Sequence, residues 1–121
     1  MERIILFLED PKILERVQGT LTGDYQVVPA ASGNDLAEPW DLAIVDAAAL
    51  ERLRDSLKAR KQVEDPVRFP VLLAARTDEW RRVAEERQSP VDEIMHVPVA
   101  PRELRLRVEN LLLARRLSRE V

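Results

Sequence analysis

The chain has 121 residues, 45% hydrophobic and 34% charged, a globular rather than disordered composition with room for one domain spanning 1–121. Nineteen basic against twenty-two acidic residues give a net charge of −3, so bulk charge does not draw the chain to nucleic acid. There is no cysteine and only one histidine, His96, which excludes disulfides, thiolate or multi-histidine metal sites and cysteine nucleophiles.

Ile4–Leu8 is a short, wholly apolar run ended by Glu9, Asp10 and Pro11, as suits a strand buried on both faces. Pro11 then stands near the start of a helical pattern in which Ile13, Leu14, Val17 and Leu21 share a face, stopped by Gly23-Asp24. Tyr25–Pro29 reads as a second strand. Ala30–Glu38 holds a brief helix after Ser32, ended by Pro39. Asp41–Val45 is a third apolar strand, followed by Asp46. Leu50–Lys61, with Leu50, Leu53 and Leu57 in helical register, is a helix, and Gln62–Phe69 a polar loop. Pro70–Ala75 is the fourth strand. Asp78 is placed to cap a helix over Glu79–Arg87, with Trp80, Val83 and Ala84 facing inward. After Ser89-Pro90, Asp92–Val97 reads as a fifth strand. Pro101 opens a last helix to about Ser118, striped by Leu104, Val108, Leu111 and Leu112.

Five apolar strands alternating with five helices predict a doubly wound α/β fold with a parallel sheet covered on both faces. No apolar run approaches the ~18–20 residues that span a bilayer. The start MERIILFLED places Glu9 and Asp10 where a signal peptide would stay apolar, so a cytoplasmic location is expected. Only Gly19, Gly23 and Gly33 are present, and no glycine-rich phosphate loop or nucleophilic triad is legible. No catalytic residue is therefore assigned, and the chain does not read as an enzyme.

In such a sheet ligands gather at the carboxyl ends of the strands. Glu9 and Asp10 follow the first strand and Asp46 the third, so three carboxylates meet at one rim if those strands are neighbours. A hard cation such as Mg²⁺ relieves their repulsion and positions an Asp for phosphoryl transfer. The plainer alternatives stay open: Asp46 as a helix cap, and Glu9 and Asp10 as acids at the positive end of a helix. His96, with no second partner in the sequence, reads as a partly exposed structural residue. Trp80 reads as core and Trp40 as a lid on the sheet edge.

The segments RIILFLEDPKIL, DLAIVD, PVLLAAR and DEIMHVPVAPRELRLRVENLLL, in this order, make the whole chain resemble the receiver domain of bacterial response regulators. The resemblance implies a flavodoxin-like five-stranded sheet of order 2-1-3-4-5. It implies Asp46 as phosphoacceptor for a histidine kinase, with Mg²⁺ held by Glu9, Asp10, Asp46 and the carbonyl of Ala48. It also implies a cis peptide before Pro98. The departures fall on the same pocket. The paired aspartates of the family align with Leu8 and Glu9. The switch hydroxyl falls on Ala75, with Thr77 two residues on, the switch aromatic on Ile94 and the conserved lysine on Val97. Without that lysine a phosphoryl group lacks a charge-assisted bond worth about 1.5–3 kcal/mol. The expectation is a degenerate receiver acting in two-component signalling through protein–protein contact. The alternative is a conventional receiver phosphorylated on Asp46 with Mg²⁺. Expected partners are a histidine kinase or an output domain, or a second copy across the face made by the fourth predicted helix, fifth strand and last helix. That last helix carries six arginines against three glutamates. Residues 113–121, with Leu113 and Leu117, are expected to extend as helix toward an output domain or partner.

Overall fold

The computed structural model describes residues 1–86 and 88–120. Five strands, β1 (Arg3–Phe7), β2 (Gln26–Pro29), β3 (Leu42–Asp46), β4 (Val71–Ala75) and β5 (Glu93–His96), form one parallel sheet of order β2-β1-β3-β4-β5. Among the described residues three α-helices intervene and a fourth follows β5: α1 (Pro11–Leu21), α2 (Ala47–Glu64), α3 (Thr77–Ala84) and α4 (Pro101–Arg119). The strands are apolar without alternation because both faces of the sheet are covered. Ile5, Phe7, Ala43, Val45, Val71 and Leu73 face α2 and Val83 of α3. Ile4, Leu6, Leu42, Ile44, Leu72 and Met95 face α1 and α4, meeting Val17, Leu21, Leu104, Val108 and Leu112. The doubly wound fold and strand order expected from the sequence are those of the structure.

Several local expectations are corrected. The segment after Ser32 is a single 3₁₀ turn, Gly33–Ala37, so the described residues hold four α-helices and not five. Ser32 accepts the Asn34 N–H at 3.1 Å and Pro39 follows closely, leaving too few residues to repay α-helix nucleation. Gly33 lies so close to α2 that a Cβ there would stand 3.0 Å from Ser56 Oγ. Helix α2 is longer than expected by three residues at each end: the Asp46 side chain caps it directly after the strand, and at the other end it runs on to Glu64, where the Asp65 N–H closes the last turn on the Lys61 carbonyl. Helix α3 starts at Thr77, not after Asp78. Glu79 folds back to accept the Arg76 N–H at 2.9 Å, which makes Arg76 the capping position. The expected helix end at Arg87 and the inward face of Ala84 lie outside the described residues, as does Val121. Trp40 is not a lid but core: it is 1% exposed, its Nε1 donates to the Asp35 carbonyl at 2.6 Å, and Arg3 stacks 4.2 Å from its ring. Trp80 is half-buried and lies against exposed His96, their ring centroids 5.5 Å apart.

Candidate functional site

The parallel register carries Phe7 opposite Val45, Asp46 opposite Ala74 and Ala75 opposite His96, so the loops after β1, β3, β4 and β5 share one rim. Glu9, Asp10 and Asp46 do meet there, but through backbone. Asp46 is 6% exposed. Its Oδ2 accepts the N–H groups of Glu9 at 2.6 Å and Asp10 at 3.1 Å, and its Oδ1 accepts the Ala49 N–H at 3.0 Å. Both oxygens thus accept main-chain donors, which takes three of the carboxylate's about four acceptor sites and leaves one on Oδ1.

The two acids on the β1–α1 loop point elsewhere. Asp10 caps α1: Oδ1 accepts from Lys12 N at 2.9 Å and Ile13 N at 3.4 Å. Its Oδ2 takes the Arg76 guanidinium at 2.6 Å. The Lys12 amide, whose effect is the largest, holds the Asp10 carboxyl below the usual carboxylate range against desolvation, with the Ile13 amide and Arg76 adding smaller lowering effects. Exposed Glu9 faces Arg52 of α2 at 3.6 Å. Ala48 lies in the first turn of α2, where carbonyls belong to the helix ladder.

The residues expected to hold Mg²⁺ (Glu9, Asp10, Asp46 and Ala48) therefore do not fit a divalent ion as arranged. Among the described residues, no three His, Cys, Asp or Glu side chains converge as a ligand set. The physical reason is competition: helix caps and arginines already use the oxygens that an ion of this kind needs.

The remaining pocket positions are apolar. Ala75 is fully buried and offers no hydroxyl; Thr77, at the head of α3, is exposed. Ile94 packs against the core on the α2–α3 face, and Val97 packs on the α1–α4 face. The Val97–Pro98 peptide is cis, as the resemblance implies; Asp65–Pro66 is cis as well. Between α1 and the starts of α3 and α4 runs a groove of about 1120 Å³, lined by Asp10, Ile13, Val17, Arg76, Val97 and Leu104 among others.

Two arginines take roles that the sequence does not assign to them. Arg76 directly follows the fourth apolar run, and its guanidinium brings positive charge to the rim, where the resemblance implies a lysine and Val97 stands. Arg115 is 3% exposed at the opposite end of the sheet. It reaches Asp41 at 3.2 Å, the Arg68 carbonyl at 2.8 Å and Glu64 at 3.5 Å. Its signal was present: position 115 continues the stripe of Leu104, Val108 and Leu112.

No protein-family model and no curated protein matches the sequence. Solved structures do match its shape. A streptococcal redox sensor, described as evolved from two-component response regulators, superposes with a TM-score of 0.80 at 13% identity, covering 99% of this chain and 55% of that one. A response regulator receiver modulated diguanylate cyclase from Pelobacter carbinolicus gives 0.78 at 16% identity, over 100% of both chains. A CheY-like receiver domain protein from Methanospirillum hungatei JF-1 gives 0.73 at 20% identity, covering 96% of this chain and 97% of that one. The sheet order, the helices on both faces and these superpositions together establish that the chain has the fold of the response regulator receiver domain.

Proposed function

We propose that the chain is a degenerate receiver-like regulatory module of two-component signalling, cytoplasmic, which works through contact with a histidine kinase or an output domain rather than through phosphorylation. The observation that carries this reading is the commitment of Asp46. A phosphoacceptor must present a carboxylate oxygen to the incoming group. Here both oxygens accept main-chain N–H bonds, and one of them belongs to the cap of α2. The positions that would report a phosphoryl group, Ala75, Ile94 and Val97, carry neither hydroxyl, ring nor cation, so the two states would differ little in contact energy. The receiver fold supports the signalling class, and no helix among the described residues is long and apolar enough to cross a membrane.

Incubation with a small-molecule phosphodonor and Mg²⁺, read by intact mass, tests the proposal. The expected result is unmodified protein. A stoichiometric adduct of one phosphoryl group that disappears in Asp46→Asn would establish the conventional receiver instead.

A further inference from the structure

We propose that Arg76, assisted by Arg52, is the resident cation of the acidic rim, a permanent positive charge that excludes divalent metal from this pocket. The proposal rests on reading the rim as a receiver pocket and concerns its ion chemistry alone. Arg76 Nη2 stands 2.6 Å from Asp10 Oδ2, and Arg52 Nη2 stands 3.6 Å from Glu9 Oε2. Arg52 is also fastened locally, its Nη1 donating to the Ala31 carbonyl at 2.6 Å, while the backbone N–H of Arg76 donates to Glu79 and fixes the start of α3 from which its side chain extends. The carboxylates outside Asp46 therefore already have charge partners delivered by two different helices.

A second effect follows from the same geometry. Arg76 and Asp10 join the head of α3 to the head of α1 across the groove, along 66 residues of intervening chain. A cation fixed by a side chain does not leave when the metal concentration falls, so its positive charge at the rim does not depend on metal supply. By Coulomb's law a divalent ion about 5 Å from such a guanidinium loses about tenfold in affinity at the dielectric of water and low ionic strength, and less as salt screens the pair.

The test is a Mn²⁺ titration of the labelled protein followed by paramagnetic broadening of amide resonances, with Mg²⁺ as competitor. The wild-type chain is expected to show no selective broadening at residues 8–10 and 46–49. Arg76→Ala, whose side chain is mostly exposed and whose fold the same spectra report, is expected to gain about tenfold in Mn²⁺ affinity at low ionic strength, with broadening confined to those residues. Arg76→Lys, which keeps the charge, should remain silent, and Arg76→Ala with Asp10→Asn should lose the gain. Selective, Mg²⁺-competed broadening in the wild-type chain, or no gain in Arg76→Ala, overturns the proposal. The mass assay reads covalent addition to Asp46 and this titration reads cation exclusion, so a failure of the one reading is distinguished from a failure of the other.

Discussion

At the scale of single residues, Asp46 shows how one carboxylate can be structural where a reactive role is expected. Its three accepted N–H bonds tie the β1–α1 loop to the head of α2. Asp46→Ala removes a helix cap and leaves the amides of Glu9 and Asp10 without their acceptor. The expected loss is about 2–3 kcal/mol, read as a fall in urea midpoint, with Asp46→Asn milder because its amide oxygen still accepts. Tyr25, the sole tyrosine, offers a pH test. Desolvation, and then its 2.8 Å hydrogen bond to Glu109, push its hydroxyl from 10.0 up to about 12. Between these values the folded chain keeps a proton that the unfolded chain has released. The contribution to stability is complete below about pH 10 and is lost as pH rises through about 12. Tyrosinate absorbance should therefore rise near pH 12 in the native protein and near pH 10 in urea. Glu109→Gln should move the native midpoint downward.

At the scale of elements, the strands were legible because burial on both faces writes them as unbroken apolar runs, and the helices because their stripes repeat with helical period. The turn at Gly33–Ala37 was harder to read: Ser32 and Pro39 mark its limits, but nothing local separates 3₁₀ from α over five residues. The first turn of α2, Ala-Ala-Ala, carries no amphipathic signal, and its start is set by the Asp46 side chain. Helix α4 is held at its far end by Arg115, whose bond to Asp41 spans 74 residues of sequence. Arg115→Ala strips a nearly buried cation from Asp41 and Glu64 and is expected to cost about 3 kcal/mol. Denaturant unfolding checks it: the midpoint should fall while the slope stays unchanged. Arg119, more exposed and 3.4 Å from Asp41, should cost less than 1 kcal/mol when truncated.

At the scale of the whole molecule, both layers pack on one sheet, with Trp40 buried beside β1 and β3 and Trp80 on α3 at the rim. Trp80→Phe leaves Trp40 as the only tryptophan, and its fluorescence should then unfold in urea together with far-ultraviolet circular dichroism. An earlier fluorescence transition would show the Trp40 region opening apart from the sheet. The sequence by itself determined the order of strands and helices, the α/β class and the positions where a pocket would lie, because burial and helical period are local patterns along the chain. It also placed apolar residues, Ala75, Ile94 and Val97, at positions where the resemblance to receivers implies a hydroxyl, a ring and a lysine, since residue identity is read directly. Only the tertiary structure decided what the acids do. Asp46 meets amides 36 and 37 residues away and Asp10 meets Arg76 across 66, and no local pattern tells a carboxylate oxygen whether it will find a metal, an amide or a guanidinium.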